Sequence, residues 1–426
     1  MLRASYPINN LIFCGLIEDF YIKISDSFPE RFYKYILLQF RKHMTKRIWL
    51  ILIIILVVAV FSPIAYWNYG NSGESDSTPL FGISFGGKTA NEAKLLIDKV
   101  KGYTNFFLVD SFDVTTNETA LTEVCDYAAK ADLNFQVFFS WVSRLIYPWH
   151  QNWLDMAKIR WGDKFLGVYL FDEPGGNQID TGGWNEDLVE VFKNNASTYS
   201  EASDLFVNSI SSINSTLDLK RRSIPMVTSD YALYWFDYLA GYDTVFVEFG
   251  WNNSRPQQIG LCRGAATTQG KEWGAIITWT HDNPPYLASG PEILDDMLIA
   301  YETGAKYVIV FNYPTYPENN PYGILGDEHF DAMQQFWKHI QEYPGDYGKV
   351  LSDVAFVLPK DYGWGMRRPD DSIWGLWQAD NLSSVIWDKM NTLVERYELG
   401  FDIVYDDPRF SLAEYSKVYY WNSSAT

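Results

Sequence analysis

The sequence predicts an α/β fold, a (β/α)8 TIM barrel with a small C-terminal α/β appendage and an N-terminal transmembrane helix. Three observations carry this. Eight short apolar or aromatic runs recur between residues 80 and 312 with helical patterns in the gaps, the rhythm changes after Pro344, and residues 48–67 are apolar enough to cross a bilayer.

Ile48–Trp67 opens with the unbroken run IWLILIIILVVAVF, and about 20 apolar residues span a hydrocarbon core. Arg41, Lys42, Lys46 and Arg47 precede it while Glu74 and Asp76 follow, so residues 1–47 are expected in the cytoplasm and the remainder outside, as a single-pass protein of the cell membrane. A cleaved signal peptide would have a shorter apolar region and an A-x-A-like site, and none is found. Met44-Thr-Lys-Arg47 is the positive start usual for a signal anchor, so translation is expected to begin at Met44. Six N-x-Ser/Thr sequons, at Asn117, Asn195, Asn214, Asn252, Asn381 and Asn422, are compatible with a glycoprotein. Residues 68–79, NYGNSGESDSTP, read as a flexible linker.

The barrel is assigned to residues 80–345. Strands are expected at Leu80–Phe85, Asn105–Asp110, Asn134–Trp141, Leu166–Phe171, Pro225–Ser229, Thr244–Glu248, Ala275–Thr280 and Tyr307–Asn312. Thr89 and Glu92 have capping-box spacing ahead of the stripe Ala93, Leu96, Ile97 and Val100. Leu121, Val124, Cys125 and Ala128 repeat the stripe, and helices are expected at 186–200, 257–268, 291–303 and 328–343. An open doubly wound sheet is the competing topology, against which stands the missing glycine-rich first turn. Residues 349–426 form the appendage, with strands at 354–358, 401–405 and 417–421 and a helix over 383–397.

Composition narrows the function. A net charge of −19 excludes a nucleic-acid or anionic-lipid face. No phosphate-binding or dinucleotide glycine pattern is present, so no cofactor is expected. Five histidines without ligand spacing argue against a metal site. Cys125 and Cys262 fall on separate helices, and no disulfide is expected.

The most informative stretch is LGVYLFDEPGG, residues 166–176, an apolar strand that ends in Asp172-Glu173-Pro174. Two carboxylates at the exit of a buried parallel strand are costly unless they are hydrogen-bonded or do chemistry. In a barrel the strand ends carry the site. The remaining ends offer Asp110, Trp141, Asp230, Tyr231, Trp235, Glu248, Trp251, Trp279, Asp282, Asn312 and Tyr313. Sugars stack their C–H faces on aromatic rings, and paired carboxylates cleave glycosidic bonds, so the mixture suits a glycoside hydrolase with a carbohydrate substrate. Asp230 and Asp282 also stand where an aspartate commonly caps the next helix.

YLFDEP resembles the adjacent Asp-Glu pair of glycoside hydrolase families 20 and 123, barrel enzymes that remove N-acetylhexosamines. That resemblance implies that Glu173 is the general acid/base and that Asp172 orients a substrate acetamido group which attacks the anomeric carbon. The barrel followed by a small α/β domain resembles family 42 β-galactosidases. That family carries Asn-Glu at strand 4 and a nucleophilic Glu at strand 7, where this chain has Asp172-Glu173 and WTHD. A protein nucleophile, if there is one, falls to Glu248 or Asp282. The alternative function is a non-catalytic carbohydrate-binding or cell-envelope protein on a degenerate glycosidase barrel.

Overall fold

The structure, a computed structural model, describes residues 79–140, 145–181, 196–314 and 320–423. The expected membrane span, the segment before it and nearly all of the linker lie outside the described residues, as do Trp141 and most of the helix expected at 186–200. Among the described residues, no helix is long and apolar enough to cross a membrane.

Eight parallel strands close into a barrel: β1 (Leu80–Phe85), β2 (Phe106–Val109), β3 (Asn134–Phe139), β4 (Phe165–Leu170), β5 (Met226–Asp230), β6 (Thr244–Phe249), β7 (Glu272–Ile277) and β8 (Tyr307–Val310). Closure comes from β8 pairing with β1, Tyr307 opposite Leu80 and Val310 opposite Ile83. Alternation then separates two cores. Phe106, Leu108, Tyr169, Val227, Phe246, Ile276, Tyr307 and Ile309 fill the barrel interior. The intervening residues, such as Phe107, Val168, Val245 and Val308, pack outward against the helices.

The capping box forms as read, Thr89 Oγ1 accepting from Glu92 N at 3.2 Å and Glu92 Oε2 from Thr89 N at 2.9 Å. β7 begins three residues earlier than expected because Thr244 on β6 pairs with Glu272, a polar position that apolar patterning does not read as strand. Trp279 and Thr280 are thereby left in the loop beyond the strand. Among the described residues, three helices, Pro174–Thr181, Tyr199–Ser211 and Asn214–Arg222, occupy the connection between β4 and β5.

The C-terminal segment forms a parallel three-stranded sheet in the order β10 (Phe401–Tyr405), β9 (Val354–Leu358), β11 (Lys417–Tyr420), with the helix Asn381–Tyr397. It packs on the barrel helix Arg255–Thr268. A Cβ on Gly264 would lie 2.8 Å from the Ile403 carbonyl oxygen, so only glycine lets that helix approach β10 so closely. Beside it Arg263 Nε donates to Asp402 Oδ1 at 2.8 Å, with both side chains buried. Trp235, expected among the sugar-binding aromatics, instead packs here against Tyr405 and Phe410, each with ring centroids 5.5 Å away. Its helix turns it outward, and it is 2% exposed.

Removing one member of a buried ion pair strands the other charge, a loss of roughly 3–5 kcal/mol. Asp402→Ala should therefore lower stability in urea by about that amount, while Arg263→Met combined with Asp402→Leu should recover most of it. Equal losses in single and double variants would show that the pair does not hold the appendage.

Candidate active site

The strand-4 exit is built under backbone strain. Phe171 (φ 61°) and Glu173 (φ 48°) both adopt left-handed conformations on either side of Asp172. Non-glycine residues there cost on the order of 1 kcal/mol or more and persist only where the surroundings hold them. The holding group is Asp230, at the end of β5. Its carboxylate accepts from Gly175 N (2.6 Å), Gly176 N (2.8 Å), Tyr231 N (2.7 Å) and Ala232 N (3.1 Å). The first two are orphan donors of the helix Pro174–Thr181, whose first residue has no N–H to offer. A Cβ on Gly175 would sit 2.4 Å from the Ala232 carbonyl, so glycine is required for this approach. Asp230, expected at the substrate or as a cap of the helix after β5, faces outward on β5 and instead caps the helix after β4, serving as a clamp. Burial pushes it up to about 7, opposed by its four N–H partners.

Four carboxyls converge on the barrel mouth: Asp110 after β2, Asp172 and Glu173 after β4, and Glu248 near the end of β6. Asp172 is exposed to solvent, although its surroundings are dense enough for desolvation to raise it. Glu248 is only 5% exposed. A chain of hydrogen bonds ties the pair together: Tyr169 Oη lies 2.5 Å from Asp172 Oδ1 and 2.9 Å from Ser229 Oγ, and Ser229 Oγ lies 2.6 Å from Glu248 Oε1. Glu173 and Glu248 face each other closely enough for each to set the other's protonation.

Confinement of like charges sets the protonation. Glu173 is raised to about 11, first by the Glu248 charge, then by burial, Asp172 and Asp230. Glu248 is raised to about 8, chiefly by burial, with Ser229 holding it back. Burial raises Asp172, and burial together with Asp172 raises Asp110. Glu173 therefore keeps its proton at neutral pH, as a general acid must.

The other expected residues divide. Tyr231 stands at the rim, its hydroxyl donating to Asp180 Oδ2 at 2.6 Å, with the Arg367 guanidinium 5.4 Å from its ring centre. Trp251 is 47% exposed, and its N–H donates to the Trp279 carbonyl at 2.9 Å, joining the loops after β6 and β7. Trp279 packs on Tyr313, ring centroids 5.6 Å apart, so Trp251, Trp279 and Tyr313 form an aromatic edge on this side. Asn312, read as a substrate ligand, is 4% exposed and accepts from Ile324 N at 3.3 Å, a loop tie. Asp282 is exposed on the loop after β7, and among the described residues no hydrogen bond or ion pair joins it to the carboxyl cluster. Trp141 lies outside the described residues.

Sequence reasoning missed Tyr169, Ser229 and Arg367. Strand parity was the available signal for the first two, since both point inward on strands whose neighbours were identified. Nothing local marks Arg367, which the appendage delivers and which Asp371 and Asp180 hold at 2.8 and 2.7 Å.

No family model matches the chain, and no curated protein does. Among solved structures it is similar to the catalytic module of a family 98 glycoside hydrolase from Streptococcus pneumoniae TIGR4 (TM-score 0.48, 12% identity, 82% of this chain and 66% of that one). It is also similar to an α-L-fucosidase isoenzyme 2 from Paenibacillus thiaminolyticus (TM-score 0.47, 12% identity, 80% and 60%). A third is the GH20 catalytic modules of a pneumococcal exo-β-D-N-acetylglucosaminidase (TM-score 0.39, 10% identity, 62% and 84%). At these levels the chemistry has to be read from the side chains of this chain itself.

The raised carboxyls couple stability to pH. Each binds a proton more tightly folded than unfolded, so its contribution is complete below the ordinary carboxylate range and is lost as pH rises through the folded value. For Glu248 that window runs from about 4.5 to about 8. Glu248→Gln should flatten the decline in stability between pH 5 and 8 and stabilise the protein at pH 8 by roughly 1–3 kcal/mol. Urea titrations across that range decide it. A variant less stable than wild type at pH 8 would show that the carboxylate is not under strain.

Proposed function

We propose that the protein is a glycoside hydrolase in which Glu173 protonates the leaving oxygen and Asp172 stabilises the positive charge that develops on the sugar. The observation that carries this is the contact between Glu173 and Glu248. It keeps a proton on an accessible carboxyl at the barrel mouth, and it also argues against Glu248 as a nucleophile. Carboxyls that act from opposite sides of a glycosidic bond stand about 5–9.5 Å apart, with the sugar between them. The strong mutual interaction of Glu173 and Glu248 favours a shared proton over a pair standing on either side of a sugar. With Asp282 outside the cluster as well, the attacking group is best supplied by the substrate. An N-acetylhexosaminide does so through its acetamido oxygen, with Asp172 holding the acetamido N–H.

The aromatic edge of Trp251, Trp279 and Tyr313 supports a saccharide ligand, since such rings offer flat faces to sugar C–H groups. The apolar segment 48–67, with its basic flank, supports an anchor that places this site outside the cell. Carbonate extraction tests the anchor. The full-length protein should stay with the membrane pellet, and release into the supernatant would refute it.

A panel of aryl glycosides tests the chemistry. N-Acetylhexosaminides should be cleaved far faster than the matching hexosides. Glu173→Gln should lower kcat by about 10²–10⁴ on substrates with poor leaving groups while leaving KM nearly unchanged, because the amide cannot donate that proton. Equal rates on hexosides would overturn substrate assistance. Binding of saccharides without cleavage of any would identify a carbohydrate-binding barrel instead.

A further inference from the structure

The contacts linking Asp172 to Glu248 contain more hydrogen bonds than hydroxyl protons. Three oxygen–oxygen contacts, of 2.5, 2.9 and 2.6 Å, run from Asp172 through Tyr169 and Ser229 to Glu248. Each needs a proton between its oxygens. Tyr169 and Ser229 carry one each. The third must sit on a carboxyl at one end. If Asp172 carries it, every hydroxyl points toward Glu248, which is then the ionised end; if Glu248 carries it, every hydroxyl points the other way. The two arrangements interconvert by three short proton shifts with no movement of a side chain.

From this geometry we infer that Tyr169 and Ser229 form a proton wire that keeps one of the two carboxyls neutral and moves the charge between them during turnover. In the form that turns over, with a single shared proton along the wire, Asp172 is neutral and Glu248, having shed its own proton, is the carboxylate that accepts from Ser229. When Glu173 gives its proton to the glycosidic oxygen, the C1–O bond breaks with its electron pair on the leaving oxygen. Glu173 and Glu248 would then face each other as two carboxylates. The wire prevents this. Asp172 passes its proton to Tyr169, Tyr169 to Ser229, and Ser229 to Glu248, so that Glu248 becomes neutral beside ionised Glu173. Asp172 becomes ionised beneath the positive charge forming on the sugar. No proton enters or leaves the wire. In the second half of the reaction Glu173 takes a proton from the attacking water, and the wire runs back.

Among the described residues, the groups facing the wire fit a system short of protons. Asp110, Glu173, Asp230 and, behind it, Asp237 are all acidic, and each is raised by burial or by a neighbouring carboxyl. Tyr231, Tyr234 and Tyr242 approach from β5, its following helix and the turn before β6, and all three are raised as well. The ends of β1, β3, β7 and β8 present Ser84, Ser140, Thr278 and Asn312, which do not titrate.

Two measurements test the wire, the first resting on the hydrolase reading and the second independent of it. In mixtures of H2O and D2O, the wild-type kcat should show a curved proton inventory, from several protons moving together. Tyr169→Phe, which removes a single oxygen, should lower kcat about 10–100-fold with KM nearly unchanged and leave a linear inventory. Ser229→Ala should do the same, the double variant should be no slower than either single one, and Ser229→Thr should restore the curvature. The second measurement is an infrared titration of the substrate-free protein, with the protonated Asp172 band assigned by its loss in Asp172→Asn. Among the described residues, Ser229 meets Asp172 only through Tyr169. Ser229→Ala should nevertheless lower the pH at which Asp172 ionises by a unit or more, because Tyr169 is then free to donate to the carboxylate. Should Ser229→Ala fail to fold, Tyr169→Phe gives the same test from the other end, shifting the titration of Glu248 by a unit or more. An unshifted titration overturns the wire whether or not the protein cleaves sugars, and so does an unchanged inventory in an active enzyme.

Discussion

The candidate site depends on one interaction, the carboxylate of Asp230 gathering four backbone N–H groups at the exit of β4. Two of those donors open the helix after Asp172-Glu173, and two belong to the loop that continues from β5. One side chain therefore sews adjacent barrel strands together where the first of them is strained. Left-handed Phe171 and Glu173 would relax if that seam were released. Because the seam lies outside the barrel wall, its carboxylate holds the site without occupying it.

A second constraint follows from the first. Once the seam holds Glu173 at the mouth, closure of the barrel brings it against Glu248 from β6, and among the described residues neither has a cation to neutralise it. Burial then favours protons over charge. The cost is stability at alkaline pH, a familiar balance at sites that need a carboxyl in its less comfortable state. The arrangement also accounts for Tyr169 and Ser229, whose hydroxyls supply two of the three protons needed by the contacts between Asp172 and Glu248.

The appendage takes part in positioning. Gln178 Nε2 donates to the Trp374 carbonyl at 2.8 Å and Ser372 Oγ to the Ile179 carbonyl at 3.0 Å, so its loop is fastened along the helix that follows the Asp-Glu pair. Through Asp180 and Tyr231 the same loop brings Arg367 to the rim. Trp235 belongs to this joint, which explains why a strand-end tryptophan carries packing here and no ligand.

By itself the sequence determined what short-range physics controls. Alternating apolar runs and capping spacings marked the strands and many of the helices, and a run such as YLFDEP could end only in a site or in a heavily hydrogen-bonded turn. The parts it left open depend on parity and closure. Whether Ser229 or Asp230 faces the barrel turns on a single step along β5, and a period of two makes that step decisive. Asn312 and Trp235 stand at strand ends like their neighbours, but the loop from 320 and the appendage cover them. The contact of Glu173 with Glu248, 75 residues apart in the chain, exists only because eight strands close on themselves. Tertiary structure decided it, since no local preference can state which two carboxyls will be forced to share protons.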